Sequence, residues 1–310
     1  IDLADRAVRH GHPVSRRTTP TLELIGESFT LEHPTSRCIV TPHRNNNVAA
    51  AVAETIWMLA GRSDIAYLRP YLPRAADFSD DGITWRGAYG PRLRHHFGVD
   101  QLDQVRRLLL EDPATRRAVL SLFDPGVDFG PSKDVPCNNW LQFLSVNDRL
   151  DLSITARSLD IMWGFSGIDA FAWSVLHELM ASWVGLPVGR QHWFVGSCHL
   201  YDHHRERAER ILADAEARPA YPRSVAYQGE WDLLDSDFRA WFEVEKQLRA
   251  GQNLPCSRIA ELIEEPLLQS FGVVVAGYWD LQNDRPIDGR MTWLAGTEWA
   301  DALRHLASWS

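Results

Sequence analysis

Cys137 stands between Pro136 and Asn138, just ahead of a run with strand character. A thiol at such a junction can be partly open, and nearby arginines favour its thiolate, the nucleophilic form. An isolated cysteine is also compatible with an inert buried thiol. Arg157 and Ser158 follow a second strand-like run. A guanidinium fork beside a hydroxyl suits a phosphate monoester. Arg116 and Arg117 open another run, and Arg16 and Arg17 lie in a Thr/Pro-rich loop. Either pair could join a phosphate site or simply be solvated. Asp160 and Asp169 flank Gly164 and Gly167. At the head of an apolar helix, Asp169 fits an N-cap. As a ligand group it would be a buried carboxylate able to pair with an amino-substituted ring. The run His199 to His204, with His177 elsewhere, invites a metal reading. No HExxH or comparable spacing is present, and adjacent histidines rarely face one ion, so no metal is expected.

These residues need elements to hold them. Val48, Val52, Ile56 and Leu59 share one face of a helix over residues 48–59, and Glu54 lies within that apolar stretch. A second helix over 102–111 stops at Asp112-Pro113. Residues 116–123, 140–146 and 150–156 read as strands, the last two joined by the turn Asn147-Asp148-Arg149. Residues 168–184 are apolar on nearly every side, as a central buried helix requires, and Gly185 closes it. Residues 191–195 form another strand. Beyond His204 the chain turns charged and helical, most clearly over 235–249 and 297–308. Strands in the middle with helices to both sides indicate an α+β fold. With no internal repeat or low-complexity linker, residues 1–310 read as one domain with a helical C-terminal extension.

Composition removes several function classes. The 310 residues are 45% hydrophobic and 24% charged, values of a globular chain. The net charge of −9 argues against sequence-independent nucleic-acid binding, which needs a basic surface. It leaves room for a local arginine cluster. Of the 32 basic residues only Lys133 and Lys246 are lysine, leaving 30 arginines, a bias typical of GC-rich genomes. The four cysteines fit neither a disulfide framework nor a zinc knuckle, so reduced thiols in a cytoplasmic protein are expected. No window approaches about 18 uninterrupted apolar residues, so no membrane span is expected. The opening residues, from Ile1, are neither a methionine start nor a signal peptide.

Taken in order, these pieces resemble the thymidylate synthase family. The matching segments are Glu54-Thr55-Ile56-Trp57-Met58-Leu59 with Gly61 and Ile65-Ala66-Tyr67-Leu68; Tyr89-Gly90; Asp112-Pro113-Ala114-Thr115-Arg116-Arg117; Pro136-Cys137 with Gln142-Phe143; Arg157-Ser158-Leu159-Asp160 with Gly164; and Gly196-Ser197-Cys198-His199-Leu200-Tyr201 with His204. They span residues 11–204. The resemblance implies a central sheet with a long buried helix. It implies a homodimer acting on a pyrimidine nucleoside 5′-monophosphate with 5,10-methylenetetrahydrofolate. Cys137 would add to ring C6, making C5 nucleophilic toward the one-carbon unit. Arg157, Ser158 and one of Arg16 and Arg17 would hold the phosphate, with Arg116 and Arg117 reaching in from the partner subunit. His199 and Tyr201 would hold the sugar, and Gln142 would lie on the substrate side. Glu54 and Tyr89 would handle water and protons. Asp160, Gly164 and Phe78 would border the folate.

Departures from the family pattern sharpen this expectation. Asp169 stands where thymidylate synthases have asparagine, with one extra residue before it. Cytosine presents an N3 acceptor and a 4-amino donor, the reverse of uracil, and a carboxyl can meet both while sharing a proton with N3. This switch resembles the cytidylate hydroxymethylase branch, in which water rather than hydride completes the reaction. Arg74-Ala75-Ala76-Asp77-Phe78 replaces a tryptophan-rich wall, which would admit water. Asn138 replaces histidine, and the residues after His204 lack the family's closing tail. Ala172, where serine is common, and Lys133, near the sugar edge, favour CMP slightly over dCMP. The competing readings are methylation of dUMP and a catalytically silent nucleotide- or RNA-binding regulator.

Overall fold

The computed structural model describes residues 1–16, 19–214 and 225–309 of the protein. Arg17 and the side chain of Arg16 lie outside the described residues. One six-stranded mixed sheet organises the fold, in the order β1-β2-β6-β5-β4-β3. The strands are β1 (His12–Arg16), β2 (Thr19–Leu31), β3 (Val119–Ser121), β4 (Asn138–Val146), β5 (Arg149–Asp160) and β6 (Val188–Tyr201). All neighbours are antiparallel except β5 and β6.

Alternation along the strands gives the sheet two chemically distinct faces. Across it, Leu120, Leu141, Ile154, Trp193 and Phe29 stand opposite one another in register. The first four are buried, and Phe29 packs against the same core. The neighbouring row, Ser121, Trp140, Thr155, Phe194 and Ser28, lies on the other face, where Phe194 is 47% exposed.

The helix Ala170–Trp183 connects the parallel pair β5 and β6, and Phe171, Trp173, Val175, Leu176 and Leu179 on it are all buried. As expected, it is apolar around its girth, and Gly185 follows it with a φ of 73°. The helix Val48–Leu59, which carries Glu54, has the expected bounds. Asn47 caps it by accepting from the Ala50 N–H at 3.0 Å.

Several expectations need correction. The strand expected over 116–123 is only Val119–Ser121, because Thr115 closes a turn on Asp112 and its hydroxyl accepts from the Arg117 N–H. Arg157 and Ser158 lie within β5, not in a loop after it. Strand β6 runs well past the expected 191–195, so His199 and Tyr201 belong to the sheet. The buried helix begins at Ala170, and a π-helix occupies Ile161–Asp169 before it. The helix Asp2–His10, the β1–β2 hairpin and the helix Pro266–Gln282 were not anticipated.

The C-terminal extension is part of the same hydrophobic core. Pro266–Gln282 packs with the helices Leu234–Arg249 and Glu298–Ala307. Trp299 is fully buried, with its ring 5.0 Å from Phe271 and 6.1 Å from Phe171 on the central helix. Tyr71 links the two parts by donating to Glu245 at 2.7 Å while accepting from the Trp279 indole at 3.0 Å. The extension therefore braces the helices that carry the chemistry. Trp299→Ala should lower unfolding free energy by about 3–5 kcal/mol, the usual cost of emptying a buried aromatic site. Denaturant titration of both proteins checks this.

Candidate active site

The C-terminal ends of β5 and β6 gather most of the residues expected to act. In register, Ser158 faces Ser197 and Asp160 faces His199. The His199 and Tyr201 rings stand 5.0 Å apart and nearly perpendicular. Behind them, buried Glu23 on β2 accepts from Thr21 at 2.9 Å and from Ser197 at 2.8 Å.

Cys137 immediately precedes β4, and its carbonyl accepts from the Arg157 N–H at 2.9 Å. The Arg157 guanidinium donates to the carbonyls of Pro136 and Val135, each at 2.9 Å. Part of its fork therefore shapes the loop that presents the thiol. Burial pushes the Cys137 pKa up to about 11; Asp169 adds to the effect and Arg157 opposes it. Burial thus outweighs the Arg157 guanidinium and favours the protonated thiol at neutral pH.

Asp169 does not cap the helix. Its backbone is already helical, and its side chain makes no capping bond. The carboxyl is buried, and Oδ2 accepts from Asn138 Nδ2 at 3.1 Å. Asn138 Nδ2 also donates to the Tyr89 hydroxyl at 2.6 Å, and the Asn138 backbone N–H donates to the same oxygen at 3.1 Å. The residue after Cys137 therefore ties Tyr89 to Asp169. Burial raises the Asp169 pKa to about 7, against the bond from Asn138. Burial, reinforced by Asp169 and Cys137, holds the Tyr89 hydroxyl well above its ordinary value.

Close backbone contact sets the position of Tyr89. A Cβ on Gly90 would lie 2.7 Å from the carbonyls of Arg62 and Met58, so only glycine allows the approach to the Glu54 helix. Burial, then Asp169 and Asp134, raises the Glu54 pKa to about 8.

The π-helix leading to Asp169 is fixed at both ends. Asp160 accepts from the N–H groups of Met162 at 2.9 Å and Trp163 at 3.2 Å. Near its other end the Ala170 N–H reaches the Phe165 carbonyl, five residues back. That wider turn takes up an additional residue without breaking the helix. A Cβ on Gly164 would lie 3.7 Å from both Asp160 Cβ and Asp169 Oδ2. Arg44 is buried and clamps the same turn, donating to the Met162 carbonyl and to Ser166 Oγ.

The remaining expected residues are placed as follows. Lys133 directs its ammonium to the Ser79 carbonyl at 3.1 Å, which ties two loops together. Gln142 donates to the Arg116 carbonyl at 2.9 Å and so holds the arginine segment. Arg116 and Arg117 are exposed. Ala172 is buried in the central helix. Phe78 is 49% exposed and Trp163 is 50% exposed. Asp134 and Arg44 had no signal in the sequence; one accepts from the Gly87 N–H at 2.8 Å, and both lie in segments without periodicity.

The Cys137 thiol, the Arg157 guanidinium, the buried Asp169 carboxyl, the part-buried Glu54 carboxyl and Tyr89 thus converge where the sheet meets the helices Val48–Leu59 and Tyr89–Arg94. Comparison with known proteins gives the family. The thymidylate synthase family model matches residues 1–231, and the chain belongs to that family. It is 35% identical over 216 residues to the deoxyuridylate hydroxymethyltransferase of Pseudomonas phage M6, covering 67% of this chain and 61% of the relative. Identity is 34% to the enzymes of the same name from Delftia phage PhiW-14 (59% and 54% covered) and Bacillus phage SP01 (65% and 56% covered). The chain thus spans between 54% and 61% of the length of these relatives.

A carboxyl whose pKa is raised by folding stabilises the native state only while protonated. For Glu54, stability falls as pH rises from its ordinary 4.5 through about 8. Glu54→Gln removes that loss. The variant should melt a few °C above the parent near pH 8.5, and the two should converge toward pH 5, as read by thermal scans across pH.

Proposed function

We propose that the protein transfers a one-carbon unit from 5,10-methylenetetrahydrofolate to C5 of a cytidine 5′-monophosphate and completes the reaction with water, giving the 5-hydroxymethyl nucleotide. The observation that carries this reading is the buried Asp169 carboxyl, held beside Cys137 by Asn138 and not spent on a helix end. A carboxyl with a pKa near neutrality can carry a proton for N3 while accepting from a 4-amino group. CMP ranks ahead of dCMP because Ala172, three residues on, has no side-chain oxygen. The names of the three phage relatives favour a second reading, hydroxymethylation of a deoxyuridylate.

Each residue then has a task. Cys137 Sγ bonds to ring C6, and its proton leaves to solvent or a neighbouring base. Arg157 and Ser158 bind the phosphate, with Arg16 or Arg17 beside them. His199 and Tyr201 hold the sugar. Glu54, neutral at rest, and Tyr89 pass protons near C5. The donor set suits the folate. Asp160 retains free lone pairs for ring N–H groups beyond its two backbone bonds, and Trp163 and Phe78 offer exposed aromatic faces. When bound, the folate supplies the one-carbon unit.

The active unit is a homodimer formed through the uncovered sheet face bearing Trp140 and Phe194. Arg116 and Arg117 lie at the β3 side of that face, so each subunit can lend them to its partner's phosphate site. The added positive charge favours the Cys137 thiolate.

Purified protein with the folate and each of CMP, dCMP, UMP and dUMP should yield hydroxymethylated cytidylate by mass. Turnover of uridylates alone would exclude the cytosine assignment. Cys137→Ala should retain its fold by circular dichroism while activity drops below about one-thousandth.

A further inference from the structure

Asn138 was singled out in the sequence only as a departure. It is fully buried, and both hydrogens of its side-chain amide are used, one on Tyr89 and one on Asp169 Oδ2. Its Oδ1 is buried without a hydrogen-bond partner among the described residues. Rotating the amide by half a turn would satisfy that oxygen twice but leave both N–H hydrogens unmet. Buried orphan donors are rarer than under-satisfied carbonyls, so the present orientation is the favoured one.

This orientation acts on Asp169. An oxygen that accepts an N–H bond is a poor place for a proton. The proton that Asp169 carries is therefore directed to Oδ1, which accepts no bond from a described residue. A free carboxylic acid can place its proton on either oxygen and so can pair with a 4-amino or a 4-oxo pyrimidine. We propose that Asn138 is a specificity-determining positioning residue: by donating to Oδ2 it fixes which oxygen of Asp169 accepts and which donates, so that the carboxyl reads one class of pyrimidine and rejects the other. Under the function proposed above, on which this inference rests, Oδ2 accepts from the cytosine amine and Oδ1 carries the proton toward N3. A uracil would need both roles reversed, with the proton on Oδ2 directed at O4. The Asn138 amide would then donate to a hydroxyl oxygen, a weaker acceptor than the carboxyl's carbonyl oxygen, and Oδ1 would be left to accept from N3–H, so the buried pairing is weakened.

The same amide also donates to Tyr89, so the tyrosine oxygen accepts two bonds and its own proton points elsewhere. Reversing the amide would reverse both partners together. Asn138 thus joins recognition of the base at Asp169 to proton handling at Tyr89, one residue from the nucleophile.

The test compares wild type with Asn138→Asp, which keeps the shape and removes the donor, and Asn138→Ala, which removes the group. Two ratios are read for each, cytidylate over uridylate: kcat/KM with the folate present, and Kd by calorimetry with nucleotide alone. Thermal melting confirms that each variant is folded. Both ratios should fall at least tenfold in both variants. A merely structural role would weaken the two bases equally, and unchanged ratios in a folded variant would overturn the proposal. If wild type binds cytidylate but turns nothing over, the reaction assigned above is wrong, and the Kd ratios decide on Asn138. If wild type prefers uridylate and the variants lose that preference, the cytosine assignment falls and the role of Asn138 stands. Binding of neither base by wild type overturns both.

Discussion

A carboxyl removed from water with one amide to steady it is the constraint around which this site is built. Asp169 is 8% exposed, and its only hydrogen bond among the described residues comes from Asn138. Such a group is costly as an anion, and its pKa climbs toward neutrality. Glu54 titrates still higher, partly because Asp169 ionises first. Burial therefore favours the neutral forms of these two carboxyls and of the Cys137 thiol.

The α+β class was legible in the sequence, and so was the set of residues that the sheet end brings together. Cys137, Arg157, Ser158, Asp160, His199 and Tyr201 could be singled out from their types and from an order that resembles a family pattern, and the fold places them on neighbouring strands or just ahead of one. The helix Val48–Leu59 was equally clear, since its apolar residues repeat at helical spacing and Asn47 caps it. The β1–β2 hairpin was not legible. Thr, Glu and Gly interrupt any alternation in β2, and its place in the sheet comes from pairing with β6, far along the chain. The lower end of β6 was missed for a related reason. His199 and Tyr201 stood out as chemistry, which hid that they continue a strand. The bond from Lys133 to the Ser79 carbonyl was not legible either, because an amine's reach says nothing about its partner.

Asp169 shows both sides of this limit. Position alone allowed a capping role, and residue type alone allowed a ligand role. Ruling out the cap needed the π-helix, a geometry no periodicity rule detects. The extra residue ahead of Asp169 was visible in the sequence; the i-to-i+5 turn that absorbs it was not. The extension beyond β6 adds a second, quieter constraint. Trp299, Phe271 and Phe171 join it to the central helix, so the acids near the thiol sit on elements gripped from behind.

From β4 through the central helix to β6 the chain runs without a break, and along it lie Asn138, Arg157, Ser158, Asp160, Asp169, His199 and Tyr201. Most of the candidate site residues therefore belong to a single supersecondary unit whose pairings are close in sequence. A nascent chain can assemble that unit before the distal helices emerge. Glu54 and Tyr89, synthesised earlier, then dock onto a framework already in register. Alterations outside this stretch can reshape the rim of the pocket while leaving its floor intact, which gives the architecture latitude to acquire new substrates.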